Sequence, residues 1–561
     1  MNLPHKAALA AIAAVLIYQL MIPPIVGLAD QGDYARLIGP LHLGPTVKKF
    51  EERYYGFLNR TYQHDTTFRI RGWEGFTTQY IFVLAAMGVN KAISRSGQFD
   101  IRVLGALHIL AFLMAAFFIL RAARRLVPGR AYLLVPVAFV LVFCDVGYVS
   151  YFNSFFYEPA SYLFLLGLLA VWLDLIAFER QGTLPLALFG TLALLFTGAK
   201  PQNVVAGLVL AVFLATKTYA QKGGRRSTKV DENKVSQAVS RARFWVNSQG
   251  RPNRPPHPSR AYEPEVFARA VGSHPECTGE NADFFQETAT DYKAGETGCA
   301  TPWLAYAFSA ALVAASIAMY AFMPRLVRLS PVYDMVFMTI LPQASDPAAE
   351  LQSLGLDPKY AKYSGTAAFA PNTAFWYADF QNQLDQHVNH FKIVAYYLRH
   401  PSKFLYYLRG NLPRSAGLRA EVSGNFEAST GYPPMARSQA FAVWSRFRGE
   451  TLAPVSSGLL IALMLSVPVS FWMAVSSAAG QKKMLAECYF VLSLLAVGTF
   501  FTTVLGDALD MVKHLFITDI LMDICLVFLL TTAAAELERR WTGLPLHYFN
   551  RDRGETTQAH V

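Results

Sequence analysis

Ten stretches of this chain are long or apolar enough to cross a bilayer, and they leave little room for any architecture but a helical membrane bundle. They run roughly over 7–29, 103–120, 131–150, 161–178, 184–197, 204–216, 303–323, 458–476, 484–505 and 515–535. Hydrocarbon offers the backbone no hydrogen-bond partner, so each run must satisfy its own peptide groups as a helix. The fifth and sixth runs are short for a span of about 20 residues, but the polar break between them, GAKPQN (198–203), needs a surface. A length of 561 residues would otherwise suggest several soluble domains. Against that, 53% of the residues are hydrophobic and only 16% charged, with a mean hydropathy of +0.26. The first run reads as a signal anchor rather than a cleaved signal peptide, being long and interrupted by Pro23-Pro24.

Charge sets the sidedness. With the N-terminus inside and 76–92 read as an interfacial or re-entrant helix, the cytoplasmic loops are RAARRLVPGR (121–130), FERQG (178–182), the start of KTYAQKGGRRSTK (217–229), GQKK (480–483) and ELERRWTG (536–543). All are rich in Lys and Arg, as cytoplasmic loops are. Counting 76–92 as an eleventh span would move them to the wrong side. The net charge of +11 is thus a topology signal, and the chain carries no zinc-finger, RNP-type or helix-turn-helix pattern that would point to nucleic acid.

The chain therefore divides into an N-terminal membrane module over 1–217, with a first external loop at 30–102; a cytoplasmic insertion over 218–300, partly disordered by its proline and charge content; a span over 301–324; a folded, mainly helical external domain over 325–456; spans over 457–535; and a cytoplasmic tail over 536–561. The external domain includes FKIVAYYLRHPSKFLYYLRG, aromatic-rich at helical spacing. Cys277 and Cys299 share the insertion, where a reducing compartment argues against a disulfide; Cys144, Cys488 and Cys525 lie in apolar runs as small core residues. No metal-binding Cys/His spacing occurs.

Polar groups collect in the loops assigned to the external face. DQGDYARL (30–37) places Asp30 and Asp33 just past the first span, where a carboxylate is either a helix cap or a general base. SYFNSFFYEP (150–159) supplies Asn153, Tyr157 and Glu158, and GAKPQN supplies Lys200, Gln202 and Asn203. A lysine at such a boundary either snorkels or holds a phosphate. TTFRIRGWEGF (66–76) adds Arg69, Arg71, Trp73 and Glu74, an arginine pair for phosphate beside an aromatic platform for a sugar face. GDALDMVKH (506–514) adds Asp507, Asp510, Lys513 and His514. Inside the last span, Asp519 and Asp523 share a face at i and i+4. They are either functional or paired with an Arg or Lys of another span.

These residues resemble the GT-C glycosyltransferases, membrane enzymes that use polyprenyl-phosphate-linked sugars. DQGDYARL looks like the first external-loop acid motif, which in aminoarabinose-type members resembles Asp-Glu-Gly-x-Tyr-Ala. Asp30, Gly32, Tyr34 and Ala35 fit it, and Gln31 stands where the second acid would be. The re-entrant piece and then GQFDIRVLGALHIL (97–110), with Arg102, follow that motif in an order similar to the family's, and SYFNSFFYEP occupies the place of the second acid site. A closer similarity is to a bacterial group of glycan-biosynthesis hexosyltransferases, at YFNSFFYEP, AKPQN, residues 336–366 and GDALDMVKHLF. The resemblance covers most of the chain outside 218–300.

It implies an all-α GT-C-like bundle of about ten spans in the bacterial inner membrane, with the active site facing the periplasm. The implied reaction is an inverting transfer of a hexose from a polyprenyl-phosphate-sugar donor to a glycan or lipid-linked glycan acceptor. Asp30 or Asp33 would take the acceptor's proton, Lys200 and an arginine would stabilise the departing phosphate, and Glu158 would position the acceptor or help hold a metal. Asp507, Lys513 and His514 would sit near the rim. A divalent cation (Mg or Mn) serves some members and not others, so no cofactor is fixed. The membrane lipid is the remaining partner. Two rivals stay open. An O-antigen-type polymerase or ligase would use external arginines such as Arg409, Arg414, Arg419, Arg437 and Arg446. A lipid-linked-glycan transporter would place its charges along a central path.

Overall fold

The structure is a computed structural model, described here over residues 3–68, 74–94, 96–180, 182–216, 301–477 and 480–542. Its main helices are α1 (Leu3–Leu20), α2 (Gln79–Ile93), α3 (Ile101–Leu126), α4 (Glu158–Ala177), α5 (Thr183–Thr197), α6 (Pro201–Thr216), α7 (Thr301–Ala321), α8 (Ser456–Ser476), α9 (Gln481–Gly506) and α10 (Phe516–Thr542). Five of these, α3, α4, α7, α9 and α10, are long and apolar enough to cross a membrane, as is the stretch Val443–Ser476 that contains α8. A seventh crossing is formed if the bent pair Gly129–Phe143 and Val146–Asn153, angled by 57°, is one span.

Among the described residues six or seven crossings are therefore shown, not the expected ten. The other three runs form the shorter apolar helices α1, α5 and α6. The first ends at Leu20 rather than near 29, ahead of Pro23-Pro24, whose rings remove backbone donors. The 15 residues of α2 rise about 22 Å, less than the hydrocarbon thickness of about 30 Å. It turns Gln79, Val83, Ala86 and Asn90 inward and Ile81, Leu84, Val89 and Ile93 outward.

Local chemistry sets several of the ends. The Asp100 carboxylate accepts the Arg102 N–H to cap α3, and Arg124 and Arg125 close its last turn, where cations meet the negative end of the helix dipole. The bent pair breaks at Asp145, whose two oxygens accept the N–H groups of Gly147 (2.8 Å) and Ser445 (2.9 Å). GAKPQN forms the break between α5 and α6, with Lys200 extended and Pro201 opening the next turn. Laterally, α3 packs on α1 and α4, α4 on α5, α5 on α7, and α9 on α8 and α10.

Two small antiparallel sheets sit beside the bundle. Strand β1 (Gly27–Leu28) pairs with β5 (Ser423–Asn425), Gly27 opposite Asn425. Strands β2 (Leu43–Pro45), β3 (Thr61–His64) and β4 (Phe99–Asp100) make the second, in the order β2-β3-β4. The first sheet ties the 325–456 segment directly to the loop after α1. That segment is helical over most of its length, and its last part, from Val443, already belongs to the helical stretch that continues as α8. Cys144, Cys488 and Cys525 are buried free thiols. The expectation for Cys277 and Cys299 lies outside the described residues, as do those for Arg69, Arg71 and Trp73.

Candidate functional site

The loop after α1 is built around Asp30. Its Oδ1 accepts the N–H groups of Gly32 (2.7 Å) and Tyr34 (3.2 Å), a tight turn in which Gly32 takes φ +97°. The Tyr34 ring is buried against Phe155 and Phe156 with its hydroxyl on the Leu28 carbonyl. Asp30 is buried, and burial outweighs its two N–H bonds and pushes its carboxyl up to about 7. The turn projects Asp33 the other way. There, Asp33 Oδ2 meets Lys513 Nζ at 2.8 Å and Oδ1 meets Arg36 Nη2 at 3.2 Å. Burial raises the Asp33 carboxyl, but the two cations together outweigh it and hold it well below the usual carboxylate range.

Lys513 is the hub. Its ammonium also donates to Gln31 Oε1 (3.0 Å) and Asp510 Oδ2 (3.1 Å), and it stands 5.3 Å from the centre of the Phe156 ring. These carboxylates raise its pKa despite its burial. Beside it, Gln202 Nε2 lies 2.7 Å from His514 Nδ1, and His514 Nε2 lies 3.3 Å from Asp507 Oδ2. If the amide donates, Nδ1 accepts and Nε2 keeps the proton it shares with Asp507. A third pair, Lys200 Nζ and Glu158 Oε1, is 2.7 Å apart and buried.

These groups surround the polar part of one large cavity of about 1690 Å³. Asp33, Tyr157, Lys200, Gln202, Asp507, Lys513 and His514 all line it, although they come from four loops distant in sequence. The Tyr157 hydroxyl is buried there without a hydrogen-bond partner among the described residues. Much of the remaining wall is apolar: Leu194 and Leu195 of α5, Val204, Val205 and Leu208 of α6, Ala315 and Ile317 to Ala321 of α7, and Phe501 and Leu505 of α9. One cavity thus joins a hydrocarbon-like slot to an ionic rim.

Five of the expected residues that the structure describes, Asp30, Glu74, Asn153, Glu158 and Asn203, are not on its wall. Asp30 lies behind the turn, and Glu158 reaches the cavity only through Lys200. Asn153 donates to the carbonyls of Leu20 and Val26, both at 2.9 Å, and pins the end of α1. Asn203 donates to Ser161 Oγ (3.0 Å) and the Phe196 carbonyl (2.8 Å), joining α4, α5 and α6. The two acids of α10 resolve as structural. Arg448 lies between them, and Asp523 also accepts from Tyr148 and Trp444.

The wall also includes residues that the sequence did not single out. Arg36 was visible as an i, i+3 partner of Asp33. Tyr55 and Asp334 carried no such signal. Asp334 accepts the Ala368 N–H at 2.7 Å; burial, helped by the charges of Asp507 and Asp510, raises its carboxyl to about 8. Among the described residues no three His, Cys, Asp or Glu side chains are grouped to hold a metal ion. The rim acids Asp33, Asp507 and Asp510 are paired with Arg36, Lys513 and His514.

Fold and cavity together define a multi-pass helical membrane protein with an amphipathic internal site. The chain belongs to the family described as the YfdI N-terminal transmembrane domain, which matches residues 3–238 and 302–549. No curated protein and no solved structure matches it.

Proposed function

We propose that the protein is an inverting glycosyltransferase that moves a hexose from a polyprenyl-phosphate-sugar donor to a glycan or lipid-linked glycan acceptor. The observation that carries this reading is the joining of a long apolar slot to an ionic rim in one cavity. A ligand matching it has a hydrocarbon tail, an anionic linker and a polar head. In this reading α1, α5 and α6 also cross, giving ten spans in a bacterial inner membrane, and the rim faces the periplasm, away from the basic loops.

Asp33 is the proposed base. Each rim cation already has a carboxylate partner, so a donor phosphate is admitted by exchange. When the phosphate draws Arg36 and Lys513 onto itself, Asp33 loses what holds its pKa down. Burial is then the dominant influence and raises its basicity where the acceptor hydroxyl arrives. The same two cations, with Lys200, stabilise the phosphate as the anomeric bond breaks. Donor binding thereby switches on the base. No step is assigned to a metal.

The test is transfer of label from radiolabelled polyprenyl-phosphate hexoses in membranes at matched expression. Asp33→Asn is expected to lose about 10²–10⁴-fold. Asp30→Asn keeps an oxygen for the Gly32 and Tyr34 N–H groups, so it retains most activity. The opposite pattern would move the base to Asp30, whose carboxyl near 7 suits proton transfer. Full activity in both variants overturns the mechanism.

A further inference from the structure

The aromatic-rich segment 390–415 forms two consecutive helices, His390–Arg399 and Pro401–Ser415. Their inward faces hold Ile393, Tyr396, Tyr397, Tyr407, Leu408 and Leu412. Their outward faces are also apolar. Phe391 is 76% exposed, Leu398 77%, Leu405 62% and Tyr406 73%. In water such a row would be costly and conspicuous. Among these side chains stand exposed Arg399, Arg409 and Arg414, and residues 390–415 contain no Asp or Glu.

The position of the pair in the bundle says what covers that face. His390 lies 6.2 Å from Tyr320, ring to ring, near the end of α7. The first helix packs on α9, and the second packs on α8 and on residues 511–514 just ahead of α10. The pair thus lies at the level where long apolar helices begin and end. Phe391 and Val394 are also part of the cavity wall, next to Met319 to Met323.

We propose that residues 390–415 are an interfacial hairpin seated on the bilayer itself. Phe391, Leu398, Leu405 and Tyr406 enter the headgroup–acyl boundary, and Arg399, Arg409 and Arg414 contact phosphates of anionic lipids. Apolar side chains interleaved with cations, with no acid, match a lipid surface in both chemistry and charge. The hairpin holds one side of the cavity mouth at the depth of lipid phosphates. The seating does not depend on the transferase reading and is tested without any transfer assay.

The experiment places a bimane reporter on Leu398→Cys or Leu405→Cys in the full chain, with Cys277→Ser and Cys299→Ser, in nanodiscs of phosphatidylglycerol and phosphatidylcholine. A Lys362→Cys reporter, on an exposed position outside the hairpin, is the control. Doxyl-labelled lipid is expected to quench the two hairpin reporters at least about twofold more than the control. Arg399→Glu with Arg409→Glu is expected to reduce that quenching in anionic discs and leave it unchanged in discs of phosphatidylcholine alone. Tyr406→Cys serves if either leucine variant fails to fold. Quenching by aqueous iodide at the control level, without lipid quenching, overturns the proposal. Shielding from both quenchers overturns it too and assigns the face to another protein surface.

Discussion

Removing Arg448 is expected to destabilise the bundle more than any single change at the cavity rim. Its guanidinium is buried, 2% exposed, and makes three bonds: Nη2 to Asp519 Oδ1 at 2.5 Å, Nη1 to Asp523 Oδ1 at 3.2 Å, and Nε to the Ala416 carbonyl at 3.0 Å. In Arg448→Met the shape is roughly kept and the charge is lost. Asp523 retains the Tyr148 hydroxyl (2.5 Å) and the Trp444 N–H (2.6 Å). Asp519 retains nothing comparable, because its Oδ2 has no partner among the described residues and its Oδ1 has just lost one. Two carboxylates one helical turn apart then face each other in a low-dielectric interior. Breaking a buried pair in this way costs about 3–5 kcal/mol, and the second carboxylate argues for the upper end. Equilibrium unfolding by dodecyl sulfate in mixed micelles, read by tryptophan fluorescence, measures it. Adding Asp519→Leu removes the stranded charge, so the double variant is expected to recover at least about half of the loss. A cost below about 1 kcal/mol for Arg448→Met, or a double variant no more stable than the single one, would falsify the claim that this cluster is an anchor.

The remaining predictions concern the rim and its supports. Asp30 binds more protons folded than unfolded between its ordinary value of 3.8 and about 7, so it makes stability fall as pH rises through that window. The shift is equivalent to about 4 kcal/mol at most; Asp30→Asn should flatten the stability profile there, and an unchanged slope from pH 4 to 7 rejects the assignment. Lys200→Met strands Glu158, which is 3% exposed. It is expected to cost about 3 kcal/mol, with Lys200→Met/Glu158→Gln clearly milder; additive effects in a double-mutant cycle would count against a coupled pair. Gly32→Ala forces a side chain onto φ +97°, although nothing among the described residues lies within 4 Å of the new Cβ. The expected cost is about 1–2 kcal/mol from backbone strain alone, and thermal unfolding no different from wild type would show that the turn relaxes.

What the sequence made legible follows from which interactions are local. Apolar blocks reported helices because a membrane span satisfies its backbone within one continuous segment; the short α5 and α6, and the break at Lys200, were readable for the same reason. The gathering of Asp33, Tyr157, Lys200, Gln202, Asp507, Lys513 and His514 round one cavity was approachable from loop alternation, which sorts loops to two ends of a bundle. Within one loop end, residue type could not separate wall from support. Asp30 and Asp33 are three residues apart and chemically identical, yet the turn that Asp30 closes on Gly32 and Tyr34 sends Asp33 alone toward Lys513. Asn153 and Asn203 look like ligand amides in a string and act as ties between helix ends. The i, i+4 spacing of Asp519 and Asp523 was plain, but Arg448, their partner, lies more than 70 residues earlier, in the segment expected to be a folded external domain. The strand pairing of Gly27 with Asn425 crosses the same gap. A polar residue in a membrane bundle is constrained chiefly by what lies across from it, and that is tertiary information. The rim therefore has to be tested as a connected set: exchange at Lys513 alters Asp33, Asp510 and Gln31 together, and substitutions there are expected to be non-additive.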